Sequence, residues 1–198
     1  MQQATPRSNR ERSEAMRKQL LAAARALFIA GGYAQTSTPE IVSAAGVTRG
    51  ALYHHFEDKK ALFAAVCESE AAMVAAEIDT ATPEGMPARD ALLIGGNAFL
   101  EAMHQPGRTR LLLLDGPAVL GRAAMDAIDG RHGTRSLKAG IAFAMREGVM
   151  PRTLPLDAVS SLLAAAFDRA ALAIDAGASI DEYRRALAVL IDGLIRSR

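Results

Sequence analysis

Seven side chains within a short stretch carry groups suited to gripping a polyanion: Ser37, Thr48, Arg49, Tyr53, His54, His55 and Lys59. Hydroxyl, imidazole and ammonium groups donate to phosphate oxygens, and a guanidinium can bond guanine O6 and N7 in a bidentate way. Catalytic chemistry finds no such support. The chain has no Gly-rich phosphate loop, no Gly-x-Ser-x-Gly and no His-Glu-x-x-His, and only four histidines, His54, His55, His104 and His132. His54 and His55 are adjacent, so on a helix they face different ways. Neither has a His or Cys three or four residues on, which argues against a metal pair.

The elements that must position these groups are legible between Thr36 and Phe63. Ser37 with Glu40 three residues on forms a capping box for a short helix whose Ile41, Ala44 and Ala45 share a face. Gly46 supplies a left-handed stop. A second short helix runs from Thr48 to about His55, and Asp58 caps a longer one from Lys59 to about Thr80. Two short helices meeting at a Gly turn make the helix-turn-helix design, whose second helix enters the major groove of DNA. Arg49 then projects towards base edges, or stands as a solvated surface cation. Thr48 bonds a phosphate or caps its own helix. Gly50 and Ala51 let the backbone come close to DNA, or simply pack. Lys59 stands where an ammonium and a helix N-terminus both favour phosphate.

From about Met16 to Phe63 the chain resembles the DNA-binding domain of the TetR family of transcriptional regulators. Arg17, Leu20, Ala23, Ala24, Leu27, Phe28, Gly32 and Tyr33 match the family's first helix and the Gly-Tyr after it. Ser37, Ile41, Ala45, Gly46, Val47, Thr48, Gly50, Leu52, Tyr53, His55, Phe56 and Lys59 match the continuation. The resemblance implies phosphate contacts for Tyr53 and His55, with core packing the other reading of Tyr53. It implies a base or phosphate contact for His54 and a place for Ser37 beside the sugar-phosphate backbone. Pro39 departs from members that read a base from the first short helix, which shifts that load to Arg49.

Composition agrees with this division. The 198 residues are half hydrophobic and 5% aromatic. Ala-rich segments without β-branched alternation indicate an all-α protein. No apolar run is long enough for a membrane span, so no membrane partner is expected. A single cysteine, Cys67, forbids an intrachain disulfide and fits a cytoplasmic setting. It is either a thiol sensor or a small buried hydrophobe. Residues 1–63 hold nine Lys/Arg against five Asp/Glu, net +4, and residues 64–198 are net −3. A basic first third is the electrostatic footprint of a nucleic-acid partner.

The expected organisation is a flexible basic arm over 1–12, a helix-turn-helix domain over 13–63 and a helical ligand-binding and dimerisation domain over 64–198, with the helix over about 59–80 between them. That makes about nine helices. Arg7, Arg10 and Arg12 in the arm either enter a minor groove or form a solvated tail. The first helix is expected over Ser13–Ala30, stopped by Gly31-Gly32. Beyond Pro83, Gly85 and Pro87, helices are expected over Ala88–His104, Arg108–Asp115, Ala118–Glu147 with an interruption near Gly130–Gly133, Leu156–Ala176 and Asp181–Arg196.

The last two helices are apolar over wide faces, and the resemblance implies a homodimer built through them. Leu163, Phe167, Ala170, Leu187, Leu190 and Leu194 are the interface candidates. It also implies a small-molecule effector in the C-terminal domain. Phe99, Met103, His104, Met125, Phe143 and Met145 are the candidate lining, Met being adaptable, with ordinary core packing the other reading of each. No cofactor is implied. The expected function is a ligand-responsive homodimeric repressor of an inverted-repeat operator. The other reading is a helical ligand-binding or protein-interaction module that has lost specific DNA binding.

Overall fold

A computed structural model describes residues 9–195. The described residues form ten α-helices, one π-helical turn and no strand. The chain divides into two compact units, residues 1–67 and 68–198.

In the first unit α1 spans Asn9–Gln35, α2 Thr38–Ala45 and α3 Arg49–His55, and α4 (Lys59–Ala81) begins there and ends in the second. Leu20, Ala24 and Phe28 recur at helical spacing on α1 and are fully buried, as are Ile41, Leu52, Leu62 and Phe63. The Phe28 and Phe63 rings meet edge to face at 5.0 Å, and Tyr33 meets Phe63 at the same distance. Gly32 takes φ 76° and ψ 167°, a backbone open to glycine, and breaks α1 there before one more turn. The buried Thr36 hydroxyl donates to the Gly32 carbonyl at 2.9 Å and fixes that corner.

Helix α1 begins earlier than expected, at Asn9, so Arg10 and Arg12 stand on a helix where a flexible basic arm was expected. Arg10 pairs with Glu14 at 3.0 Å and Arg12 reaches Asn9 at 2.6 Å, local bonds that favour the helical turn. Arg7 lies outside the described residues.

In the second unit α5 spans Ala88–Met103, the π turn Arg110–Asp115, α6 Gly116–Leu120, α7 Arg122–Arg131, α8 Gly133–Arg146, α9 Leu156–Asp175 and α10 Ile180–Leu194. The helix expected over Ala118–Glu147 breaks at His132, within the expected Gly130–Gly133 interruption, and also at Gly121, so α6, α7 and α8 take its place. Gly121, at φ 89° and ψ 156°, ends α6, and His132, at φ −124° and ψ −98°, turns the chain between α7 and α8. The π turn has a local cause: Pro117 has no N–H for the carbonyl four residues back, and Gly116 donates instead to Leu111, one residue farther than in an α-helix.

The core of this unit joins α5, α8, α9 and α10 through Leu92, Leu100, Ile141, Leu163, Phe167, Leu187 and Ile191. Elsewhere in it a buried guanidinium locks α4. Arg108, 5% exposed, donates to Glu70 at 3.0 Å, to Glu77 at 3.0 Å and to the Ala102 carbonyl at 2.7 Å. No helix among the described residues is long and apolar enough to cross a membrane.

Candidate nucleic-acid interface and cavity

The first short helix of the pair is held by its caps. The Ser37 backbone N–H and hydroxyl both donate to one Glu40 carboxylate oxygen at 2.7 Å, and the Glu40 N–H returns to the Ser37 hydroxyl at 3.4 Å. These bonds hold the Glu40 carboxyl below its ordinary range. Pro39 fits the first turn, where its missing N–H has no intrahelical partner. Gly46 closes α2 at φ 64°, and Thr48 then caps α3 by accepting from the Ala51 N–H at 3.2 Å.

That start fixes which side of α3 meets solvent. Leu52 is fully buried beneath it, so Arg49, Gly50, Tyr53 and His54 share the opposite, exposed side, with Thr48 exposed at the cap and Ala51 and His55 half-buried at the flanks. The Arg49 guanidinium lies 5.5 Å from the Tyr53 ring centroid, which pre-orients both groups on one surface. Tyr53 is 43% exposed, so packing in the core does not account for it. Burial, then His54 and Arg17, push the His55 imidazole below its ordinary value and favour its neutral form at neutral pH.

Lys59 is placed differently from the sequence expectation. Its ammonium donates to the Tyr33 and Thr36 carbonyls, both at 3.0 Å, and lies 4.2 Å from the Tyr33 ring centroid. A lysine bonded to two carbonyls under an aromatic face is a structural tie, which leaves one of its three N–H groups uncommitted. Cys67 is fully buried.

The second unit contains a cavity of about 750 Å³ bordered by the end of α4, the 83–86 loop, α5, α8 and α9. Phe99 and Phe143 line it, as expected. The other four candidates do not. Met103 and Met145 are buried in the packing, Met125 packs against Gly116, and His104 is an exposed residue ending α5. Phe167, Gly96 and Asp168 were missed. A Cβ at Gly96 would sit 2.6 Å from the Phe167 ring, so glycine there is what admits the ring to the cavity wall. The signal for Asp168 is a carboxylate inside the apolar run of α9. Among the described residues no group of three or more His, Cys, Asp or Glu could hold a metal.

The interface candidates are also corrected. Leu163, Phe167, Ala170 and Leu187 are 1–6% exposed and belong to the chain's own core. Leu194 is half-buried. Only Leu190 of the six is exposed, at 53%, and it shares the outer surface of the last two helices with Leu162 at 72% and Val189 at 70%. Both helices carry leucines on the outer side as well as in the core, which hides their rotation from sequence reading.

Comparison with known proteins places this geometry. Residues 20–66 match the family described as bacterial regulatory proteins, tetR family, and residues 89–197 match the tetracyclin repressor-like C-terminal domain. The HTH-type transcriptional regulator AcrR of Shigella flexneri is 44% identical over 62 residues, 31% of this chain and 29% of that protein. An HTH-type transcriptional repressor of Mycobacterium tuberculosis is 36% identical over 81 residues, 41% of this chain and 42% of that protein. The chain thus spans less than half the length of these curated relatives. A solved TetR-family transcriptional regulator from Pectobacterium atrosepticum is 32% identical with a TM-score of 0.75, covering 96% of this chain and 99% of that one. The fatty acid degradation regulator FadR of Bacillus halodurans, 15% identical with a TM-score of 0.77 over 98% of this chain and 100% of that one, shares the fold. The relatives are regulators of transcription, not enzymes.

Proposed function

This chain belongs to the TetR family of bacterial transcriptional regulators, and from that membership we propose that it is a homodimeric repressor, holding an inverted-repeat operator and releasing it when a small hydrophobic effector enters the second unit. The observation that carries the DNA reading is the exposed side of α3, where Arg49, Gly50, Tyr53 and His54 stand together over the buried Leu52. Arg49 reads a base edge. Thr48, Tyr53 and His55 donate to phosphates, with Ser37 and the backbone at Gly50 and Ala51 close to the sugar-phosphate chain. A dimer sets two copies of α3 about 34–36 Å apart, one turn of duplex. Leu162, Val189 and Leu190 supply the apolar patch that a second copy would cover. The cavity bordered by Phe99, Phe143 and Phe167 supplies the effector site.

Selection from random duplexes, followed by gel shifts over a range of salt, tests the reading. An enriched palindrome whose affinity falls with salt is expected. Arg49→Ala costs about 1–3 kcal/mol of binding and relaxes the sequence preference at its base. Selection that enriches no site would leave the chain as a helical ligand-binding or protein-interaction module without specific DNA binding.

A further inference from the structure

The cavity is lined by six ionisable side chains, and their positions differ. Asp79, Glu84, Asp129, Arg135 and Arg146 are exposed, whereas Asp168 is the one that is not. Most of the exposed charges already have partners. Thr134 donates its hydroxyl and its N–H to Asp129, Ser136 donates to Asp79 at 3.4 Å, and Arg146 lies 5.7 Å from the Phe143 ring centroid. The Asp168 carboxylate meets no hydrogen-bond donor among the described residues. It adjoins Phe167 on α9, while Phe99 and Phe143 border the same space from α5 and α8.

We propose that this cavity takes an amphipathic organic cation, its apolar body against Phe99, Phe143 and Phe167 and its positive centre against the Asp168 carboxylate. A half-buried carboxylate that accepts no hydrogen bond is poorly solvated, and a ligand cation relieves that cost where a neutral or anionic ligand cannot. The aromatic faces add cation–π attraction of the same sign. Other nearby charge reinforces it. Asp129 and Asp126 of α7 act on Asp168 with their negative charge and Arg122 opposes them, Asp79 and Glu84 add negative charge from α4 and the following loop, and Arg135 and Arg146 of α8 are exposed to solvent. Burial, then Asp129, push the Asp168 carboxyl up to about 6, with Arg122 opposing and Asp126 adding to the rise. The assignment rests on the reading of this cavity as the effector site.

Isothermal titration with tetraphenylphosphonium and tetraphenylborate, ions of like shape and opposite charge, tests it on the full chain. The cation binds and the anion binds at least about tenfold more weakly. Asp168→Asn, checked for an intact thermal transition, loses about tenfold or more for the cation. On the unaltered protein, lowering the pH from 8 to 5 weakens cation binding by about tenfold, because protonation of Asp168 removes the negative charge. Equal or tighter binding of the borate, no binding of the phosphonium, or an Asp168→Asn variant that keeps its affinity overturns the proposal. Gel shifts on the selected duplex separate the two readings. An operator bound by a protein that ignores the phosphonium leaves the repressor and removes the cation, and the reverse leaves a cation-binding protein without an operator.

Discussion

Lys59 and Tyr33 form a closed pair: the lysine ammonium bonds the tyrosine's carbonyl at 3.0 Å and lies 4.2 Å from the same residue's ring centroid. Tyr33 follows the break at Gly32 and Lys59 opens α4, so one side chain ties the end of α1 to the start of α4. Asp58, next to Lys59, and burial push the Tyr33 phenol above its ordinary value, burial being the larger cause.

Lys59→Met should therefore cost stability. Two carbonyls lose a charged donor, and a loss of about 1–3 kcal/mol follows. Calorimetric melting reads it. The salt dependence of operator binding, measured on the fraction that remains folded, should keep its slope. A slope reduced by about one would instead restore Lys59 as a phosphate contact.

Gly96→Ala should strain the second unit. The added methyl falls 2.6 and 2.8 Å from two carbons of the Phe167 ring, and overpacking of this kind costs about 1–3 kcal/mol. Thermal melting checks it, and Phe167→Leu in the same chain should recover part of the loss by freeing the space.

Leu190→Glu should leave a folded monomer. Leu190 is half exposed, so the carboxylate meets water in a single chain and an apolar surface in a pair. Sedimentation velocity is expected to show the dimer lost with the helix content unchanged. Leu163→Glu should behave differently and unfold the unit, because Leu163 is 6% exposed and belongs to the core.

The sign of the Asp168 effect on stability follows from its direction of shift. Its folded value, about 6, lies above the ordinary aspartate value of 3.8. The protonated form is thus favoured by folding, and the contribution is fully present below about pH 3.8 and lost as pH rises through about 6. Asp168→Asn should raise the melting temperature at pH 8, by an amount equivalent to about 1–3 kcal/mol, and change it little at pH 4. Melting curves at the two pH values check it.

Much of the first unit is legible in the sequence because its signals are local. Ser37 with Glu40, the stop at Gly46 and the capping threonine each act within four residues, and Leu20, Ala24 and Phe28 mark one side of a helix. The destination of Lys59 is not local, since its carbonyl partners lie 23 and 26 residues away. The same limit applies to α9 and α10. Leu162 and Leu163 are neighbours of one type, and the packing of α5, α8 and α10 against α9 decides which of them is buried. His132 lies inside the Gly130–Gly133 interruption legible in the sequence, but what holds it there is not. Its imidazole meets the Glu68 carboxylate at 2.6 Å, and Arg131 beside it bonds the same group, so the corner between α7 and α8 is held by a partner 64 residues away.

The complete burial of Cys67 gives the protein an internal clock. A maleimide in solution can react there only after the surrounding helices part, so the rate of label uptake counts how often they do. With no other sulfhydryl in the sequence to compete, one mass shift reports every such event.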